Sequence, residues 1–176
     1  IRAILTGVMG GGTAERVYGE LAYEISSKQL KTVDEVRQRM LQKEFLPNDS
    51  QFKAGLLAVS DGNMSRAKYL LAMVEKQYRK DKKLSVEAAT PWDSKSVSVD
   101  HIIPRSKKIV VGADGKNSLV KEWQHSLPNL ALLERSVNNS IGNLEFPAKG
   151  QKLADSEFFL TNELSALNEF GDKEIE

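Results

Sequence analysis

The hydrophobic period of the chain changes partway along its length. Through the first eighty or so residues, apolar positions recur at helical spacing. Val17, Leu21, Ala22 and Ile25 fall at i, i+4, i+5 and i+8, which is one face of a helix over residues 13–28. Thr32 followed three positions later by Glu35 forms a capping-box pair. It opens a helix that carries Val33, Val36 and Met40 on one side. Pro47-Asn48-Asp49 is a turn, and residues 50–59 read as a short helix that stops at Ser60-Asp61-Gly62. The clearest helix covers residues 64–80. Tyr69, Leu70, Met73, Val74 and Gln77 trace its stripe, with Arg and Lys on the remainder. Pro91 breaks whatever follows.

Beyond residue 95 the period shortens to two. Val97 and Val99 alternate with Ser96 and Ser98, as in a half-buried strand. Ile109-Val110-Val111, the turn residues Gly112 to Gly115, and Leu119-Val120 predict an irregular hairpin. Leu130, Leu132 and Leu133 predict a further short strand. Helices are expected after Ser136, over Phe146–Ala154 and over Phe158–Leu167. The chain shows no internal repeat. The expected class is α+β and mainly helical, with a helical subdomain over 1–95 and a strand-strand-helix unit over 96–176 closed by C-terminal helices.

Composition narrows the chemistry. The 176 residues are 40% apolar and 28% charged, a globular balance and not a disordered one. The absence of cysteine excludes a disulfide scaffold, a thiol nucleophile and any Cys-ligated zinc. His101 and His125 are the only histidines, which excludes a multi-histidine metal cage. No apolar run is long enough to span a bilayer and no signal peptide is evident, so no membrane partner is expected. A first residue of Ile suggests a piece of a longer protein. The net charge of +1 conceals a partition. Residues 66–152 carry sixteen basic and nine acidic side chains, while residues 153–176 carry one basic and seven acidic. A basic middle attracts a polyanion, although single runs such as Lys80, Lys82 and Lys83 read equally as solvated surface.

The chemistry concentrates in two stretches. In Val99-Asp100-His101-Ile102-Ile103-Pro104 a carboxylate directly precedes a histidine at a strand end that Pro104 closes. Asp can ligate a hard cation such as Mg²⁺. His can act as general base near neutral pH. Adjacent side chains on a strand point to opposite faces, so the pair serves one site only if the strand ends or twists there. The second stretch, Leu127 to Asn139, begins with Asn129 on an apolar strand and reaches Asn138 nine residues later at the start of a helix.

Asp100-His101-x-x-Pro104, then Asn129-Leu130-x-Leu132-Leu133, then Asn138, resembles the HNH nucleases of the His-Me finger, or ββα-metal, superfamily. Asn138-x-x-Ile141-x-Asn143-x-x-Phe146-x-x-Lys149, followed by Ser156, is similar to the C-terminal nuclease domain of GmrSD-type restriction proteins, including the phosphorothioate-sensing SspE type. The resemblance covers roughly residues 97–160 and, more weakly, the helix around Arg66 to Glu75. Many HNH domains carry two Cys pairs around zinc; this chain has none, as is typical of the GmrSD-type branch. The resemblance implies an HNH finger embedded among helices, within 96–176, and a bacterial, cytoplasmic restriction or anti-phage protein with an upstream ParB-like nucleotide-hydrolysing domain.

The roles follow from the same resemblance. His101 is the expected general base, against a buried His that bonds only a backbone carbonyl. Asp100 and Asn138 are the expected ligands of Mg²⁺ or Mn²⁺. Asn138 has a rival role as a helix cap, and Asn139 next to it offers the same chemistry. Asn129 is expected to bond across the loop and orient the histidine. Arg135 and Lys149 are expected on phosphates, and His125 and Asn143 in supporting roles. The implied reaction is metal-dependent nicking of double-stranded DNA, leaving 5′-phosphate and 3′-hydroxyl ends. A double-strand break would require an oligomer or two successive hits. A finger that grips DNA without cutting, and a nuclease that cleaves RNA, are the alternative readings.

Overall fold

The computed structural model describes residues 2–7, 10–42, 45–86, 91–105, 123–171 and 174. The hairpin expected over 109–120 lies outside the described residues. Contacts divide the chain into two compact units, Ile1–Ala58 and Val59–Glu176.

The first unit consists of helices α1 (Arg2–Leu5), α2 (Gly11–Ser26), α3 (Val33–Gln42) and α4 (Asp49–Leu57). Thr32 starts α3 as its side chain dictates: Glu35 N–H donates to Thr32 Oγ1 at 3.2 Å, and Thr32 N–H donates to Glu35 Oε2 at 2.9 Å. Asn48 and Gln51 cap α4 by the same reciprocal pair. Val17 and Leu21 of α2 pack with Phe45, Leu30, Val36 and Met40. Val33, expected beside Val36 and Met40, is 84% exposed. It is the first residue of its helix, and the core meets only the later turns.

The second unit carries the chemistry-bearing stretches. A 3₁₀ turn (Asp61–Asn63) leads into α5 (Met64–Asp81). Strand β1 (Val97–His101) follows, and a second 3₁₀ turn (Leu127–Asn129) opens β2 (Leu130–Glu134). Helices α6 (Arg135–Ile141), α7 (Phe146–Leu153) and α8 (Phe159–Glu163) complete the chain, with a last 3₁₀ turn at Leu164–Ala166. The two strands pair antiparallel, Val97 opposite Glu134 through His101 opposite Leu130. The fold is mainly helical α+β with one small ribbon among the described residues.

The ribbon is buried on both faces, which explains why β2 reads as a continuous apolar run. Val97 and Leu132 pack with Ala72 of α5 and with Phe158. Ala131 and Leu133, on the opposite face, pack with Ile102, Ile141, Phe146 and Leu153. Helix α5 departs from its expected stripe. Val74 is 45% exposed and Gln77 is exposed, whereas Glu75 and Arg79 are each 4% exposed.

A polar anchor turned that helix. The Glu75 carboxylate accepts from Arg79 Nε at 2.7 Å and from the N–H groups of Phe159 and Leu160 at 2.9 and 3.0 Å. Arg79 donates further to the carbonyls of Ser85 and Glu157, and its guanidinium lies 4.6 Å from the centroid of the Phe159 ring. Helix α5 is thereby fastened to the start of α8. Between α6 and α7 the chain reverses through Gly142, whose φ of 54° and ψ of −133° suit a residue without a side chain.

Two stability outcomes follow. Arg79→Met leaves the Glu75 carboxylate buried without its cation and should destabilise the domain by about 3–5 kcal/mol, read from urea unfolding. Gly142→Ala should cost about 1–3 kcal/mol for a side chain forced into that backbone region. An unchanged unfolding midpoint for either variant contradicts its assigned role.

Candidate active site

Asp100 and His101 end β1, and the alternation of the strand sends them to opposite faces. On one face, His101 Nε2 lies 3.0 Å from Asp61 Oδ2. His125 Nδ1 lies 2.9 Å from that same oxygen, and Arg105 Nε lies 3.5 Å from it. Asp61 belongs to the turn that starts α5, and its N–H donates to the His125 carbonyl at 2.7 Å. A bridge between Ser60 and Ser126 and the bond from Leu127 N–H to Val59 O fix that turn to the segment before β2. The imidazoles of His101 and His125 stand 6.5 Å apart in an edge arrangement.

Burial sets the electrostatics of this face. It pushes the His101 imidazole below its ordinary value, and the hydrogen bond and charge of Asp61 offset part of that shift. Burial alone would raise the Asp61 carboxyl. Hydrogen bonds from His125 and His101, together with the charges of His125 and Arg105, hold it below its ordinary value instead. Asp61 is therefore a carboxylate at neutral pH, and a carboxylate only accepts hydrogen bonds. The ring nitrogens facing it carry the protons, Nε2–H on His101 and Nδ1–H on His125. A neutral His101 then has its lone pair on Nδ1, the nitrogen turned away from Asp61.

On the opposite face, Asp100 Oδ2 accepts from Lys149 Nζ at 2.5 Å, and Lys149 also donates to the carbonyl of His101. Lys149 is 2% exposed. Its ammonium lies beneath the strand end and not on the surface where a phosphate would be met. Asn138, one turn into α6, donates from its amide nitrogen to Ser98 Oγ at 3.0 Å. Ser98 shares a strand face with Asp100, so Asn138 and Asp100 stand on one side of the ribbon and His101 on the other. Each carries a side-chain oxygen, the donor type that suits Mg²⁺ or Mn²⁺. Asn139, the alternative at this position, is exposed.

Asn129 is fully buried and holds the chain beyond His101. Its Oδ1 accepts from Ile103 N–H at 2.8 Å, and its Nδ2 donates to the carbonyls of Ile103 and Gln124 at 3.1 and 2.8 Å. Its own carbonyl accepts from Ile102 N–H at 2.9 Å. Arg135 is exposed at the far end of β1 from His101, with Nε donating to the carbonyl of Lys95 at 2.9 Å.

Asp61 is the residue that sequence reasoning missed. Ser60-Asp61-Gly62 reads as a helix stop, and nothing local ties it to a histidine forty or sixty-four positions away. Asp61, His101 and His125 each offer one donor atom, and the three atoms lie within 4.8 Å of one another. They are a possible divalent-metal site in their own right.

Residues 46–176 match the model of the family described as GmrSD restriction endonucleases, C-terminal domain. Fold and match together define a nuclease domain of restriction-type defence, a class that acts on DNA and suggests a divalent metal. The chain belongs to the family of GmrSD C-terminal domains. No curated protein matches the chain. No helix among the described residues is long and apolar enough to cross a membrane.

Asn129→Ala removes the partner of two buried backbone groups, the N–H and carbonyl of Ile103, and of the part-buried carbonyl of Gln124. It should destabilise the domain by about 2 kcal/mol or more, since each orphaned buried group costs roughly 1–3 kcal/mol. A thermal melt equal to that of the unaltered chain contradicts the role of Asn129 as the lock of this loop.

Proposed function

We propose that the domain is a metal-dependent endonuclease that nicks double-stranded DNA, with His101 as general base and Asp100 and Asn138 as the metal ligands. One observation carries the reading: the buried imidazole of His101 has Nε2 3.0 Å from the Asp61 carboxylate, which accepts the Nε2–H and leaves Nδ1 to accept a proton. His101 Nδ1 takes a proton from the water that attacks phosphorus. As the new P–O bond forms, the bond to the 3′-oxygen breaks, that oxygen takes a proton from solvent water to become the 3′-hydroxyl, and His101 returns its proton to solvent. Asp61 holds the ring in the useful tautomer and stabilises the imidazolium that forms. Asp100 and Asn138 supply oxygen ligands from the other side of the strand end. When bound there, a divalent cation polarises the scissile phosphate and offsets charge on the leaving oxygen.

Lys149 supports this arrangement from below. By bonding Asp100 and the carbonyl of His101 together, it fixes the directions of two consecutive functional residues. Arg135 offers an exposed guanidinium to the DNA backbone, and the basic stretch of residues 66–152 holds phosphates without reading sequence. One such site cuts one strand per event, so a double-strand break needs a second copy or a second encounter. On this reading a ParB-like domain precedes this one, and any selectivity for modified DNA belongs to it and not to the nuclease domain.

The test is conversion of supercoiled plasmid to open circle with and without Mg²⁺. Product should require the metal and disappear in His101→Ala. Asp61→Asn keeps the shape of the site but lets the ring adopt the other tautomer. It should slow nicking by about 10²-fold or more, the loss seen when a histidine base is deprived of its orienting carboxylate. Nicking that persists in His101→Ala, or that proceeds in EDTA, overturns the mechanism.

A further inference from the structure

The cluster of Asp61, His101 and His125 has a chemistry that the proposed nicking reaction does not use. The catalytic cation is assigned to two oxygens, a hard set that suits Mg²⁺. The cluster on the other face offers two imidazole nitrogens and one carboxylate oxygen. That set suits borderline transition ions, Zn²⁺ above all, and binds Mg²⁺ poorly.

The geometry also fits. Zinc holds such ligands at about 2.0–2.2 Å, so neighbouring donors of a tetrahedral site stand about 3.4 Å apart. His101 Nε2 and His125 Nδ1 each lie about half an ångström closer than that to Asp61 Oδ2, at 3.0 and 2.9 Å. A small outward movement of two side chains opens the site. Asp61 and His101 are nearly buried, with side-chain exposures of 11% and 8%, whereas the His125 side chain is 53% exposed. Two ligands are therefore fixed by the fold, and the third stands at the mouth, where an ion enters. The remaining coordination position falls to water.

We propose that Asp61, His101 and His125 form a zinc-type transition-metal site, distinct from the Asp100–Asn138 pair, whose occupation switches the nuclease off. The inhibitory part rests on the reading of His101 as the base. The switch works through the proton of the ring. In the metal-free chain, the His101 proton is on Nε2 and the lone pair is on Nδ1. A cation bound at Nε2 takes the lone pair there, and the single proton of the neutral ring moves to Nδ1. No proton is gained or lost, yet Nδ1 becomes an N–H and no longer accepts a proton from water. Asp61, which supports the base in one state, becomes a ligand in the other.

The first arm of the test is a calorimetric titration of the metal-free chain with ZnCl₂ in excess Mg²⁺ and without DNA. Binding should be one to one. His125→Ala should weaken it by at least about ten-fold, the loss that follows even when a residue behind a metal ligand is removed. His125→Cys, which replaces the imidazole with a thiolate ligand, should restore it. Asn138→Ala should leave zinc affinity within about two-fold, because the second site lies on the other face of β1. The second arm is plasmid nicking in Mg²⁺ with increasing Zn²⁺, each protein scaled to its own zinc-free rate. Zinc should inhibit the unaltered chain at concentrations that leave His125→Ala active.

Absence of zinc binding overturns the proposal, as does binding that is indifferent to His125→Ala. Binding at this site without inhibition overturns the switch. If the unaltered chain does not nick without zinc, the nuclease mechanism fails by itself, and the titration still decides whether the site exists.

Discussion

The arrangement depends on the alternation of side chains at the end of a strand. Two consecutive residues on an extended backbone cannot face the same way. Asp100 and His101 therefore open onto opposite sides of a narrow ribbon. Each side needs its own support, and each receives it from a different part of the chain. The turn before α5 brings Asp61 to the histidine, while α6 and α7 bring Asn138 and Lys149 to the side of the aspartate. The proposed mechanism uses both faces at the point where β1 ends, at His101. DNA would meet base and metal together around that strand end.

A ribbon of two five-residue strands is too small to be stable alone. With no cysteines to bind zinc, this ribbon is held by an apolar cluster on each face and a set of buried polar bonds. Glu75 and Arg79 fasten α5 to α8, Asn129 locks the loop after His101, and Lys149 ties α7 to the strand end. Such groups are costly to bury and more costly to orphan, so they specify one arrangement where apolar packing would tolerate several. The same bonds that set the fold also set the directions of Asp100 and His101.

Burial and the bond to Asp61 act on the histidine in opposite senses, and burial prevails, holding the imidazole below its ordinary value. A neutral ring bonded through Nε2–H to a carboxylate is prepared to accept a proton at Nδ1. It is equally prepared to bind a transition ion once Asp61 and His125 are counted beside it. The distinction between the two proposed cation sites is chemical, two oxygen donors on one face and two imidazoles with one carboxylate on the other. A single strand end can in this way separate the ion that would assist hydrolysis from one that would stop it.

Much of this was legible in the sequence. The spacing of Val17 and Leu21, the Thr32–Glu35 cap, the alternation at Val97 and Val99 and the run at Leu130 to Leu133 are local signals, and the structure places helices or strands at each. The Asp100-His101 pair and the asparagines at 129 and 138 were visible because their spacing is written along the chain. The register of α5 was not, because a buried ion pair outweighed the apolar stripe that included Val74. Nor was the burial of Lys149, since a lysine far along the chain gives no sign that a carboxylate waits for it. Asp61 is the clearest case. Its neighbours make it a turn residue, and only the fold brings it between His101 and His125. Sequence determined the elements and the chemical types available; the tertiary structure decided which groups share a proton, because such contacts join positions that no local period connects.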